Sequence, residues 1–281
     1  MPLCYLRGDF MHRLKSTIVR CLFWVLATPL VAHSTTVVVK MENRRIILAA
    51  DTRRDTKTLG QAAPNYHDDY CKIVGLGNVG FAASGNSDYH RTQAGDSVPD
   101  WSAWDEAETS YASHKDSLVD MAESWGSSTI THYQIFYSVN PSRVKELAAV
   151  NPENVLIEGL FAGWDTKGLP ILVTVVIKLG SLAISPVVGT KYVLPQRDLP
   201  YTSNQHTKDL IEEDPTKMKA VAKKWKKTSK HFRKSEQDWR WVEFVVQSTS
   251  DYDETVGKKV DVLEILPFSS HWLHKSSCPA Y

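Results

Sequence analysis

The sequence has little cysteine, almost no net charge, and no apolar run of the roughly 20 residues that a transmembrane helix needs. Of its four cysteines, only Cys71 and Cys278 follow residue 34. Two cysteines are not a disulfide framework, so a small disulfide-stabilised fold is excluded. They could pair in an oxidising compartment, but we do not predict a bond between them.

Charge is also nearly balanced once the N-terminal segment is set aside. Residues 35–281 hold 29 basic and 31 acidic side chains, a net charge of −2. This balance gives no overall attraction to nucleic acid, and we expect no nucleic-acid partner. A hydrophobic content of 42% and a charged content of 23% are typical of a packed globular protein. No internal repeat or low-complexity linker interrupts residues 35–281, which predicts a single domain there.

The N-terminal segment has the pattern of an export signal. Arg13, Lys15 and Arg20 precede an apolar stretch at residues 21–31, and Ala32-His33-Ser34 fits a small-x-small cleavage site. We therefore predict that residues 1–34 are a signal peptide or pro-segment and that the mature protein is periplasmic or secreted. Met11 could be the true start, cleavage could leave Ser34 first, and an uncut segment would be a membrane anchor.

Hydrophobic patterning predicts strands first, then helices, then strands, helices and a final strand. The predicted strands cover residues 35–40, 46–50, 71–76, 80–83, 155–162, 169–179, 182–193 and 259–266. Two helices are expected between residues 87 and 139, punctuated by Pro99 and Gly126, and two more at 206–234 and 236–249. Residues 52–69 are expected to form a loop. This order predicts an α+β fold, a four-layer α-β-β-α sandwich of two antiparallel sheets.

A candidate catalytic group follows from the predicted cut. If Thr35 is the first residue, its hydroxyl and its free α-amine form a nucleophile with its own base. Asp51 and Lys72 would lie near the start of the first strand, where an ammonium favours loss of the hydroxyl proton and a carboxylate holds that ammonium. Gly85 lies where a strand is expected to turn into a helix, and backbone N–H groups at such a turn can bind an oxyanion.

These residues carry a family resemblance. The chain resembles the catalytic β-type subunits of proteasomes and their simpler bacterial relatives in four segments, Thr35-Thr36-Val37-Val38-Val39, Ala49-Ala50-Asp51-Thr52-Arg53, Lys72-Ile73 and Ser84-Gly85-Asn86-Ser87-Asp88. Those proteins are N-terminal nucleophile (Ntn) hydrolases with an α-β-β-α sandwich. The resemblance implies Thr35 as nucleophile and base, Asp51 and Lys72 as its supporting pair, Arg53 as the arginine after the aspartate, and Gly85 or Ser84 as the oxyanion donor.

The resemblance is weaker in the second half of the chain. Leu160-Phe161-Ala162-Gly163-Trp164-Asp165 resembles the central hairpin of the family, and Gly189-Thr190 stands where a supporting Gly-Ser pair is expected. Asp253-Glu254-Thr255-Val256-Gly257 resembles the loop that closes the site with an aspartate and a serine. Val256 occupies the serine position, so that hydroxyl is missing unless Thr255 replaces it.

Three other patterns favour ordinary structure over function. Gly75-Leu76-Gly77-Asn78-Val79-Gly80 matches the dinucleotide fingerprint, but a strand and not a helix is expected to follow it. His271, His274 and Cys278 have loose metal-ligand spacing without a fourth partner, and we predict no metal site. The basic stretch at residues 217–234 has an apolar stripe typical of an amphipathic helix.

The sequence therefore predicts a threonine-type peptidase or amidohydrolase that needs no cofactor and acts on short peptides or small amides. The family resemblance implies a homo-oligomeric ring. The alternatives are a non-catalytic structural or binding subunit, which Val256 favours, and an anchored protein whose Thr35 is never freed.

Overall fold

The computed structural model describes residues 35–42, 44–56, 65–89, 101–139, 141, 154–179, 188–194, 201–202, 239–251 and 253–278. The predicted signal segment, the helix expected at 206–234 and the basic stretch at 217–234 lie outside these residues. Among the residues described, no helix is long and apolar enough to span a membrane.

The described chain contains strands and helices in an α+β arrangement. The strands are β1 Val37–Glu42, β2 Arg45–Asp51, β3 Arg54–Thr56, β4 Asn65–His67, β5 Ile73–Leu76, β6 Val79–Gly85, β7 Asp88–Tyr89, β8 Trp101–Ser102, β9 Val155–Trp164, β10 Pro170–Lys178, β11 Val188–Leu194, β12 Tyr201–Thr202, β13 Val260–Leu266 and β14 Ser269–His274. The helices are α1 Ala103–Ser113, α2 Leu118–Val139 and α3 Trp239–Thr249.

The first sheet has the strand order β12-β1-β2-β13-β14, and all its strand pairs are antiparallel. Val37 of β1 lies opposite Ala50 of β2, and Val260 of β13 lies opposite Asp51. The end of β2 is therefore flanked by the starts of β1 and β13. This register brings Asp51 beside the segment that follows Thr35.

The second sheet has the order β11-β10-β9-β6-β5 and is also antiparallel. Strands β5 and β6 form a hairpin around Gly77 and Asn78, so the glycine-rich stretch at 75–80 is followed by a strand, as expected. Gly85 lies opposite Ile157 at the end of β6.

Three hydrophobic clusters hold these elements together. The first joins the two sheets, with side chains such as Val37 and Leu48 from one and Leu160 from the other. The second joins α3 to the opposite face of the first sheet, through residues such as Val242. The third joins α1 and α2 to the second sheet, around Trp125. Both faces are buried at residues 37–39 of β1 and 46–50 of β2, which explains why these stretches are continuously apolar rather than alternating.

Two details of the predicted secondary structure are wrong for physical reasons. Gly126 does not end a helix but lies inside α2, where a β-carbon would come within 2.9 Å of Val175 Cγ1. The glycine there allows the helix to pack closely on β10. Residues 52–69 are not a plain loop, because β3 pairs antiparallel with β4, and these short polar strands give no apolar pattern.

The C-terminal segment is more structured than the sequence suggests. Strand β14 pairs with β13 and leads residues 275–278 back towards the start of β5, where Cys278 is bonded to Cys71. The expectation that these cysteines are not bonded is wrong, since the pairing depends on a return across 207 residues of chain. His271 contacts Glu264 (Nε2 to Oε2, 2.9 Å), and His274 contacts Glu243 (Nδ1 to Oε1, 2.6 Å).

Candidate active site

Asp51 is the centre of a buried hydrogen-bond network at the end of β2. Its side chain is completely buried. Oδ1 accepts a hydrogen bond from the Thr36 N–H at 2.9 Å, and Oδ2 accepts bonds from Lys72 Nζ and from the N–H groups of Arg53 and Gly257, each at 3.0 Å. Four donors on one carboxylate satisfy a charge that would otherwise be costly to bury.

The strand register explains why these donors converge. Asp51 N–H donates to the Thr36 carbonyl at 3.3 Å, which continues the β1–β2 ladder by one residue. Val260 lies opposite Asp51 in the next strand, so the loop before β13 passes close to the carboxylate and presents Gly257. A single residue at a strand end thus contacts three segments that are distant in sequence.

Lys72 lies immediately before β5, and its side chain is 5% exposed. Burial lowers the pKa of Lys72, and the Asp51 carboxylate offsets part of that effect. Burial and the adjacent Asp51 carboxylate thus act on the Lys72 ammonium in opposite directions. This is the electrostatic environment expected of a group that assists proton transfer.

Thr35 is half-buried and directly precedes Thr36. Because Asp51 holds the Thr36 N–H, it fixes the peptide group that joins Thr35 to β1. Asp51 thereby contacts both Lys72 and the peptide that carries Thr35. The structure thus joins Asp51 and Lys72 in one network that also holds the N–H of Thr36, the residue after Thr35.

Arg53 extends the network to the surrounding loops. Its guanidinium makes two bonds to Asp68, Nε to Oδ1 at 2.6 Å and Nη2 to Oδ2 at 2.7 Å, and Nη1 donates to the Glu254 carbonyl. The hydrogen bond to Asp68 raises the pKa of Arg53, and the same bond lowers the pKa of Asp68. Sequence reasoning identified Arg53 but missed Asp68, which looks like an ordinary loop acid.

The Arg53–Asp68 pair predicts a pH effect on stability. The pKa of Asp68 is lowered in the folded protein. Its ionised side chain therefore contributes to the free energy of unfolding above about pH 4, and this contribution is lost as the pH falls through the lowered pKa. The melting temperature of an Asp68→Asn variant should therefore fall less steeply between about pH 5 and pH 3 than that of the wild type. Parallel melting curves for the two proteins would contradict this account.

The loop before β13 contains the position where the family resemblance calls for a serine. Asp253 Oδ1 accepts the Thr255 N–H at 2.9 Å and the Thr255 hydroxyl at 2.5 Å, while the Val256 side chain is buried. Asp253 is thus paired with the hydroxyl of Thr255, one residue before the position at which the serine was expected. A β-carbon at Gly257 would lie 2.9 Å from Arg53 Cβ, so the close approach of this loop requires glycine.

Gly85 and Ser84 lie at the end of β6 in the second sheet. Gly85 is exposed and has a φ of 101°, and a β-carbon there would meet the Leu156 carbonyl oxygen at 2.6 Å. Its N–H therefore belongs to a turn that only glycine forms readily. Ser84 is half-buried and lies opposite Glu158. Within the described part of the chain, no hydrogen bond links Gly85 or Ser84 directly to Asp51.

Thr190 lies in β11, opposite Val176 of β10. Its supporting role stays a prediction.

In comparisons with known proteins, no family model matches the chain and no curated protein matches it.

Proposed function

We propose that the chain, once cut before Thr35, is an N-terminal threonine hydrolase that cleaves amide bonds in short peptides or small amides. The observation that carries this proposal is the Asp51 carboxylate, which binds Lys72 Nζ through one oxygen and the Thr36 N–H through the other. A buried cation and a buried carboxylate fixed beside a threonine at the start of a strand are what an N-terminal nucleophile requires.

The proposed reaction has two stages. Thr35 Oγ attacks the amide carbonyl carbon, and the hydroxyl proton passes to the α-amine. The tetrahedral intermediate carries its negative charge near the Gly85 N–H and collapses when the α-amine protonates the leaving amine. A water molecule, deprotonated by the α-amine, then attacks the Thr35 ester and releases the acid. Thr35 supplies both nucleophile and base, so this chemistry needs no metal or cofactor.

Lys72 and Asp51 have separate tasks in this scheme. The Lys72 ammonium stabilises the Thr35 oxygen as it loses its proton and keeps the pKa of the α-amine low enough for it to act as a base. Asp51 holds that ammonium and the peptide after Thr35 at fixed positions. Arg53, Asp253 and Thr255 support the loops around them.

The same proposal includes the finer architecture and assembly. The three hydrophobic clusters support stacking as a four-layer α-β-β-α sandwich of the Ntn type. We infer a secreted or periplasmic protein released by cleavage of residues 1–34, without a membrane anchor thereafter. A homo-oligomeric ring follows from the family resemblance alone.

Two proteins that differ by one residue test the role of the α-amine. One begins at Thr35 and the other at Ser34, each released from a fusion by a protease that leaves no extra residue. The protein that begins at Thr35 should hydrolyse peptide amides. The protein that begins at Ser34 should not, since its free amine is displaced by one residue from Asp51 and Lys72. Equal activity of the two would contradict the proposed base.

A non-catalytic subunit is the second candidate, and the buried Val256 side chain favours it. In that case the Asp51–Lys72 network only stabilises the fold. A correctly processed protein that begins at Thr35, folds, and neither hydrolyses amides nor reacts with acylating reagents at Thr35 would establish this alternative.

A further inference from the structure

Asp88 joins Arg54, which follows the end of β2 in the first sheet, to Tyr70, which precedes β5 in the second. Its carboxylate receives Arg54 Nη2 at 2.7 Å on Oδ1 and 2.6 Å on Oδ2, and it accepts a hydrogen bond from the Tyr70 hydroxyl at 3.2 Å. The side chain of Asp88 is 12% exposed. Charge-assisted hydrogen bonds in such a shielded position are stronger and more directional than exposed ones.

The partners of Asp88 stack on one another. The Arg54 guanidinium lies over the Tyr70 ring, with Cζ 4.6 Å from the ring centroid, and the Tyr70 ring meets Trp104 of α1 edge-on at 5.4 Å. Burial and the nearby Asp88 carboxylate raise the pKa of Tyr70, so its hydroxyl stays protonated and remains a donor. Arg54, Tyr70 and Asp88 thus form a compact unit, which we call the Asp88 cluster.

Each member of the Asp88 cluster is a near neighbour of a candidate catalytic residue. Arg54 follows Asp51 by three residues, Tyr70 precedes Lys72 by two, and Asp88 follows Gly85 by three. The Tyr70 N–H also donates to the Thr52 carbonyl at 3.0 Å, which ties the first two segments together. Two or three residues span at most about 7–11 Å, so the position of one end of such a segment limits where the other can lie.

The rest of the turn after Gly85 is held by the second sheet and its helices. The Asn86 N–H and side-chain amide both donate to the Leu156 carbonyl, at 2.9 and 3.0 Å, and the Tyr133 hydroxyl donates to the Asn86 carbonyl. The Ala103 N–H donates to the Ser87 carbonyl at 2.8 Å. Asp88 adds a connection to the segments that carry Asp51 and Lys72.

We propose that Asp88 is a positioning residue for amide hydrolysis, and that its bonds to Arg54 and Tyr70 fix the Gly85 N–H relative to Thr35. This inference rests on the proposed function. Displacement of an oxyanion donor by about 1 Å can cost about 100-fold in rate without weakening substrate binding. Asp88 therefore affects the stabilisation of the transition state and not the binding of the substrate.

The experiment compares Asp88→Asn with wild type in protein that begins at Thr35. Asp88→Asn should lower kcat about 10- to 100-fold and leave KM within about threefold. The inhibition constant of a peptide boronic acid should rise by the same factor by which kcat falls. The reason is that the tetrahedral boronate places an oxygen where the oxyanion forms. Alkylation of Thr35 by a peptide vinyl sulfone, which forms no oxyanion at that position, should keep its wild-type rate.

Two further variants complete the test. Glu108→Gln removes an exposed carboxylate of α1 and should match wild type throughout. Tyr70→Phe removes one of the bonds to Asp88 and should show a smaller loss of the same kind, which keeps the proposal testable if Asp88→Asn does not fold.

The outcomes separate the two proposals. If wild type hydrolyses amides and binds the boronic acid but Asp88→Asn and Tyr70→Phe behave like wild type, the positioning role is wrong and the hydrolase proposal stands. A uniform fall in kcat, boronate affinity and alkylation would also overturn it, because that pattern indicates general loss of structure. If wild type reacts with none of the three reagents, the hydrolase proposal fails and this inference fails with it.

Discussion

A Thr35→Ala variant is expected to lose amide hydrolysis by at least about 1,000-fold, because it removes the only atom proposed to bond to the substrate. The variant keeps the α-amine, the Thr36 N–H and the bond from that N–H to Asp51, so its folding should be unchanged. The measurement is kcat/KM on a peptide amide that releases a chromophore, with the thermal midpoint recorded for each protein.

Thr35→Ser is the matched control for that variant. It retains a hydroxyl and an α-amine on the same residue and should keep measurable activity. Full activity of Thr35→Ala would contradict the proposal that Thr35 is the nucleophile. An equal loss of activity in Thr35→Ser and Thr35→Ala would indicate that a hydroxyl at this position is not sufficient for activity.

Asp51→Ala is expected to destabilise the fold by about 3–5 kcal/mol, the usual cost of breaking a buried ion pair. The substitution leaves the Lys72 ammonium buried without its carboxylate and deprives three N–H groups, those of Thr36, Arg53 and Gly257, of their acceptor. Urea unfolding followed by tryptophan fluorescence measures the loss. Asp116→Ala, in the exposed turn before α2, is the control and should change little.

Lys72→Met separates stability from activity at the same pair. Asp51 would still accept three backbone N–H bonds, so the stability loss should be smaller than for Asp51→Ala. Activity should nevertheless fall about 100- to 1,000-fold, since the cation proposed to stabilise the Thr35 oxygen as it loses its proton has been removed. The control is Lys167→Met, in the exposed turn between β9 and β10. A larger stability loss for Lys72→Met than for Asp51→Ala would contradict the assignment of Asp51 as the centre of the hydrogen-bond network.

Much of the first sheet and of the Asp51 network could be predicted from the sequence. Residues 37–39 and 46–50 are apolar, and charged residues follow the first run and bound the second on both sides, so these strands are encoded locally. Once β1 and β2 pair, Asp51 has to lie beside the residue that starts β1. The Asp51–Lys72 pair depends on one further strand start, at β5.

The surrounding contacts could not be predicted in the same way. Asp68 follows β4 and Asp88 begins the two-residue strand β7, and nothing in the pattern of their neighbours indicates that they pair with Arg53 and Arg54. The Cys71–Cys278 bond depends on β14, whose sequence Ser-Ser-His-Trp-Leu-His is too polar to be predicted as a strand. Tertiary packing sets such pairings, and no repeating pattern in the nearby sequence indicates them.

The most direct test of the account is the site of acylation in the processed protein. The protein from an exporting host is mixed with an activated peptide ester, quenched within the first turnover, digested and sequenced by tandem mass spectrometry. The account predicts that the acyl group is carried by a peptide that begins at Thr35 and that Thr35→Ala gives no such peptide. An acyl group on another residue, or amide hydrolysis by a chain that begins upstream of Thr35, would contradict it.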